Sequence, residues 1–151
     1  MSANDLQKLP YLPLGSEIKF LDDKNKFLIA AKKVALEFSK DPEHPTGAVV
    51  VRDGKIIGRG ANGSDFHEKN GCRRKKLGIP TGKNYELCPG CDPKNHAEQT
   101  AIADVSARGK NSAGADLYLW GHFWCCESCW EKMIENGIRD VFLVEGAWKK
   151  F

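Results

Sequence analysis

Two short motifs constrain this chain more than anything else in it: His96-Ala97-Glu98 and Cys126-Glu127-Ser128-Cys129. One imidazole and two thiols are enough to hold a zinc ion on three protein ligands. The fourth tetrahedral position is then left to solvent, which is the arrangement of a catalytic zinc and not of a structural one. A fold that uses both motifs must bring two separate segments to one point. Glu98 stands two positions after His96, where its carboxylate can lie beside the metal without ligating it. Each motif also falls where a helix is expected to begin, with a strand between them. His-x-Glu alone means little, and Cys-x-x-Cys alone is equally a structural half-site or a redox pair. It is the conjunction that points to a catalytic zinc.

The helix starts matter chemically. Cys126 and Cys129, three apart at the beginning of a helix, point the same way. The positive end of the helix favours their thiolate forms, which are the forms that bind zinc. Two thiolates and a neutral imidazole leave the site uncharged once zinc is bound. Glu98 is then suited to carry a proton from solvent at the metal to a substrate ring nitrogen, and later to a leaving amine.

The chain has 151 residues, enough for one domain with a real core, and its 41% apolar and 28% charged residues are ordinary for a globular protein. No apolar run is long enough to span a bilayer, and residues 1–8 carry no apolar stretch of a secretory signal. A cytoplasmic protein is expected, with its thiols reduced and available to metal. A net charge of +3 does not suggest a dedicated nucleic-acid binder, so a nucleic-acid partner is not the favoured reading.

Residues 1–22, with Pro10, Pro13 and Gly15, read as an extended arm laid on the surface of a domain spanning 23–151. Phe27, Ala30, Ala31, Val34 and Phe38 recur at helical spacing and predict a helix over 23–39, ended by Pro42 and Pro45. Residues 46–52 and 55–60 are strands joined by Asp53-Gly54, a favoured hairpin turn. Residues 61–91 form a long polar loop, uncommon in a compact domain unless functional or held by something. Asp92 as N-cap and Pro93 at the first helical position predict a helix running to about Gly109. Residues 116–120 form a strand, 127–136 a helix stopped by Gly137, and 140–144 a strand. The last two strands, joined through a helix, are expected to be parallel neighbours in a right-handed crossover.

Taken together, Thr46-Gly47-Ala48-Val49-Val50-Val51, Gly58-Arg59-Gly60-Ala61-Asn62-Gly63, His96-Ala97-Glu98 and Cys126-Glu127-Ser128-Cys129 give the chain a recognisable pattern. Over roughly residues 25–145 it resembles the cytidine and deoxycytidylate deaminase superfamily, most closely its deoxycytidylate branch. The resemblance implies an α/β fold of three layers, α/β/α, around a mixed sheet of four to five strands. It implies His96, Cys126 and Cys129 as Zn2+ ligands and Glu98 as proton shuttle. It further implies Asn62 and Ala97 as contacts to a nucleotide substrate, and a homo-oligomer. The expected reaction is hydrolytic deamination of a cytosine nucleotide, dCMP to dUMP. The alternatives are a deaminase of another base or of a polynucleotide, and a zinc-stabilised module without catalysis. Intact Glu98 argues against the last. Cys125 stands where the family has proline before the first zinc cysteine, and its thiol is expected to pack. Phe123, Trp124 and Trp130 are also unusual and are expected to shape a pocket wall. Few residues follow 144, so a further strand and closing helix at that end are expected to be absent or reduced.

Cys88 and Cys91, with Cys72 and His67 upstream, could form a second, structural zinc site of the Cys3His type that orders the long loop; reduced free thiols are the alternative. Arg73-Arg74-Lys75-Lys76 reads mainly as a solvated face, with one arginine available to a substrate phosphate; contact with nucleic acid is the other functional reading.

Overall fold

The structure, a computed structural model, describes residues 9–79, 85–88 and 91–150, with the side chains of 65, 67, 86 and 150 outside that set. In chain order its elements are β1 Ile18–Leu21, α1 Lys26–Phe38, β2 Gly47–Arg52, β3 Lys55–Ala61, α2 Asp65–Asn70, α3 Arg73–Lys76, α4 Ala97–Ala107, β4 Asp116–Trp120, α5 Glu127–Glu135 and β5 Val141–Val144. Single 3-10 turns stand at Tyr85–Leu87, Pro93–Asn95 and Ala147–Lys150.

The five strands form one mixed sheet in the order β1-β5-β4-β2-β3. β4 and β5 are parallel, as the crossover rule requires, while β2 runs antiparallel to both β3 and β4. Alternation along β2 sends Val49 and Val51 to one face and Ala48 and Val50 to the other. The first face meets Leu28, Ala31 and Val34 of α1. The second meets Ala101, Ile102 and Val105 of α4 and Cys129, Trp130 and Met133 of α5. The result is three layers, α/β/α, with the central strands buried on both sides. Each fully buried Leu, Val or Ile contributes about 1.5–3 kcal/mol.

Glycine sets how closely the layers approach. A Cβ on Gly47 would sit 2.2 Å from the Ala31 carbonyl oxygen of α1, and one on Gly60 would sit 2.2 Å from the Ala101 nitrogen of α4. The hairpin between β2 and β3 turns on Asp53 and Gly54, both at positive φ (52° and 76°), as a tight two-residue turn demands.

Three expectations are corrected here. The arm assigned to residues 1–22 does not stay on the surface: Ile18–Leu21 is a sheet strand, parallel to β5, with Ile18 buried. Leu9, Tyr11 and Leu12 pack against the core on the α4/α5 side; residues 1–8 lie outside the described set. The loop expected over 61–91 contains two short helices, α2 and α3, and a 3-10 turn. The helix expected from Asp92 is interrupted. Asp92 caps a 3-10 turn over Pro93–Asn95, His96 is extended (φ −73°, ψ 150°), and α4 begins only at Ala97. Both start signals, Asp92 and Pro93, belong to the 3-10 turn, and the extended His96 separates that turn from α4.

Candidate functional site

The interruption at His96 places the site. As N-cap of α4, His96 sits outside the helix, and its backbone carbonyl accepts from Thr100 N at 3.0 Å and Thr100 Oγ1 at 2.8 Å. Its ring is thereby directed across to the start of α5, where Cys126 is the N-cap and Cys129 lies in the first turn. His96 Nδ1 is 3.5 Å from Cys126 Sγ and 3.4 Å from Cys129 Sγ, and the two sulfurs are 3.3 Å apart. A tetrahedral zinc with ordinary bond lengths would separate such atoms by about 3.6 Å (N to S) and about 3.8 Å (S to S). The triad therefore needs only tenths of an ångström of adjustment to take an ion, and it is one of two groups among the described residues that could hold a metal.

Proton affinities agree with that geometry. The hydrogen bond with Cys129 outweighs burial and, with the His96 hydrogen bond and charge, holds Cys126 down at about 4. Its partner Cys129 is raised by the same hydrogen bond and by burial, so the pair shares one proton. Burial pushes the His96 imidazole down, but the Cys126 hydrogen bond and the charge of Glu98 outweigh it and leave the ring raised. Such a pocket already prefers positive charge. Glu98, one residue into α4, is buried at 4% exposure. Burial raises its pKa, opposed by the charge of His96 and assisted by that of Cys126. A carboxyl raised in this way holds a proton more readily than an exposed one, which suits a group that takes up and passes on protons.

Cys125 is fully buried, and burial together with the charge and hydrogen bond of Glu98 pushes its thiol well up. It packs in the core with Phe123, Trp124 and Trp130, as a neutral group. Trp124 and Trp130 each bury an indole N–H that has no hydrogen-bond partner among the described residues.

Asn62 lies at the end of β3 in a knot of hydrogen bonds. Its Oδ1 accepts from Thr46 N (2.8 Å) and Ser39 Oγ (2.6 Å), and its Nδ2 donates to the His44 carbonyl (2.9 Å). Both lone pairs and one hydrogen are thus used inside the chain. Ala97 is buried completely at the first position of α4. A cleft of about 1020 Å³ lies over the open edge of β3 between α1 and α4. Asn62 and Asn95 line it, but the triad and Glu98 do not. Five cationic residues, Lys33, Lys40, Arg59, Lys94 and Arg108, and two acidic ones, Glu37 and Asp104, also line it, with Asp104 paired to Arg108.

The second cysteine group also assembles. Cys72, Cys88 and Cys91 are all buried, with ligand atoms within 4.8 Å of one another and Cys72 Sγ 3.5 Å from Cys91 Sγ. Burial, partly offset by the Arg74 hydrogen bond, pushes the metal-free Cys91 thiol up to about 12. The side chain of His67, on α2, lies outside the described set. The basic run beside the group is a helical turn, α3, and not a wholly solvated face. Arg74 is buried, its Nη1 donating to Cys91 Sγ at 3.4 Å and its guanidinium 4.5 Å from the Tyr85 ring. Arg73 covers Phe66, Lys75 pairs with Glu43, and Lys76 Nζ donates to the Asn70 carbonyl.

Several residues around the site had no distinct signal in the sequence. Gln99 Nε2 donates to Ser128 Oγ (3.0 Å) and reaches Cys129 Sγ (3.6 Å), linking the starts of α4 and α5. The Tyr85 ring meets His96 edge-on at 5.0 Å. His122 accepts from Phe123 N and stands edge-on to Trp124. Only the position of Gln99 directly after the motif could have suggested it.

Known proteins share this sequence and fold. The profile of the family described as the cytidine and deoxycytidylate deaminase zinc-binding region matches residues 21–145. The chain is 26% identical over 144 residues to the deoxycytidylate deaminase of Saccharomyces cerevisiae (strain S288c), covering 85% of this chain and 43% of that protein. It is 29% identical over 125 residues to ComE operon protein 2 of Bacillus subtilis (strain 168), covering 80% and 59%. The chain thus spans about half the length of these curated relatives. The apo crystal structure of dCMP deaminase from the cyanophage S-TIM5 shares the fold at a TM-score of 0.51 and 20% identity, over 80% of this chain and 82% of that one. The profile match runs from the last residue of β1 to just past β5 and takes in both motifs, and on that ground the chain belongs to the cytidine and deoxycytidylate deaminase family.

Proposed function

We propose that this chain is a zinc-dependent hydrolytic deaminase of a cytosine nucleotide, converting dCMP to dUMP with release of ammonia. One observation carries the reading: a buried carboxylate, Glu98, stands on the first turn of α4 immediately after an imidazole–dithiol triad with zinc-sized spacing. His96, Cys126 and Cys129 would hold the ion. Zinc in such a site supplies an acidified solvent molecule at neutral pH. Glu98 takes up the proton that this solvent gives off and passes it to N3 of the cytosine ring; a second proton then goes to the departing amine. Carbon C4 gains the oxygen and loses nitrogen, so water and cytosine yield uracil and ammonia.

Ala97 is proposed to contribute its backbone N–H, which the first position of α4 leaves without a partner inside the helix, to the nucleotide. Asn62 is proposed to contribute its one remaining amide hydrogen. The cationic lining of the adjoining cleft supports a phosphate-bearing substrate over a bare base. The S-TIM5 enzyme, whose crystals include a complex with dCMP and dUMP, supports the same choice. Cys72, Cys88 and Cys91 are proposed as a second, structural zinc site, with His67 as its expected fourth ligand. A homo-oligomer is proposed from Leu36 and Phe38 of α1, which are 63% and 59% exposed.

Ammonia release over a panel of substrates tests the reading. The panel holds deoxycytidine, dCMP, adenine and guanine nucleotides, single-stranded DNA and tRNA. The expected result is turnover of dCMP with deoxycytidine much poorer. Turnover confined to a polymer, or to a purine, would overturn it.

A further inference from the structure

Cys91 belongs to both sulfur-bearing sites at once. Its Sγ lies in the Cys72–Cys88–Cys91 group, while its carbonyl oxygen is 3.0 Å from His96 Nε2 in the other. A carbonyl can only accept, so Nε2 carries the ring proton. The lone pair is thereby confined to Nδ1, the atom that faces Cys126 Sγ and Cys129 Sγ. The backbone of one candidate ligand thus selects the tautomer and orientation of another.

The chain between them is short. Within it Asn95 N donates to the Asp92 carbonyl (2.8 Å) and His96 N to that of Pro93 (3.0 Å). These bonds leave little slack between Cys91 and His96. Arg74 and Tyr85 complete the link from the other side. The Arg74 guanidinium touches Cys91 Sγ and the Tyr85 ring, and that ring meets His96 edge-on. Charge fits a filled cluster. Three thiolates around a divalent ion leave one negative charge, and buried Arg74 supplies one positive charge against it.

We propose that metal in the Cys72–Cys88–Cys91 site raises the metal affinity of the His96–Cys126–Cys129 site by clamping the Cys91 carbonyl on His96 Nε2, with Arg74 and Tyr85 as positioning residues. This rests on the reading above that both groups bind metal. Groups that hold the distal nitrogen of a ligating histidine typically change metal affinity by about 10–100-fold. Because coupling between sites is reciprocal, each ion should strengthen the other by the same factor.

The experiment uses the full chain stripped of metal and titrated with zinc against a chromogenic chelator, with cobalt(II) absorption to distinguish the two sites. The wild type is expected to bind two equivalents cooperatively. Cys72→Ser is expected to bind one, at the Cys2His site, about 10–100-fold more weakly. In 15N spectra the His96 Nε2–H signal, slow to exchange in the two-metal wild type, should exchange rapidly in that variant. Arg74→Met should weaken the same site while still binding two ions, and it carries the test if Cys72→Ser does not fold. Two equivalents in the wild type, with unchanged affinity at the Cys2His site in the variants, would overturn the coupling alone. A wild type that takes up fewer than two equivalents would overturn the two-metal reading, and the inference with it.

Discussion

His122 shows how strongly single residues feel this interior. Burial, aided by the charges of His96, His44 and Arg74, holds its imidazole down at about 3. In the unfolded chain the same group titrates near 6.5. The folded state therefore refuses a proton that the unfolded state accepts. The stability His122 contributes is complete above about pH 6.5 and is lost as pH falls from there toward about 3. His122→Gln in the metal-free chain should show a smaller drop in Tm between pH 7.5 and pH 4.5 than the wild type; equal drops would contradict the assignment. The triad was legible in the sequence because its residue types carry their chemistry with them: few other roles place an imidazole, a carboxylate and two paired thiols at helix starts. Arg74 was not legible. In a run of four basic residues nothing local marks the one that turns inward, since Cys91 and Tyr85, which meet its guanidinium, are distant in sequence. Asn62 was legible as special, but its hydrogen bonds with Ser39, His44 and Thr46 were not, because all three lie 16 or more residues away in the chain.

Among the elements, β2, β3 and their turn follow from apolar runs and Asp53-Gly54, and the end of α5 from Gly137. What failed was non-local. Ile18–Leu21 is only four residues long and pairs with β5 from the far end of the chain, so no neighbouring segment announces it. The break between the Pro93–Asn95 turn and α4 follows from contacts of His96 with Cys91 and α5, again outside any local window. The close seating of α4 on β3 is more predictable. Gly60 leaves no room for a Cβ against the Ala101 and Thr100 backbone, and backbone cannot swing aside as a side chain does. Gly60→Ala should cost at least about 1–3 kcal/mol and shift the start of α4, where Glu98 stands. Denaturant midpoints at constant slope would measure this, with a loss of metal affinity accompanying it. A variant as stable as the wild type would show that the two elements can separate freely.

For the whole molecule, the sheet order β1-β5-β4-β2-β3 brings the starts of α4 and α5 together on one face, and the site is the point where they meet. Among the described residues no helix is long and apolar enough to cross a membrane. The element order alone pointed to a sheet with helices on its faces, and the three layers were legible through the resemblance of residues 25–145 to the deaminase superfamily. Substrate choice was not, because it depends on the β3-edge cleft and on loops whose shape arises only on folding. The central claim concerns one carboxylate beside one metal-binding triad. It is tested most directly by comparing wild type with Glu98→Gln for zinc content and for ammonia release from dCMP in the same preparations. The account predicts equal zinc at the His96–Cys126–Cys129 site and turnover lower by at least about 10²–10⁴-fold in the variant. A variant that keeps its zinc and deaminates dCMP at the wild-type rate would contradict it.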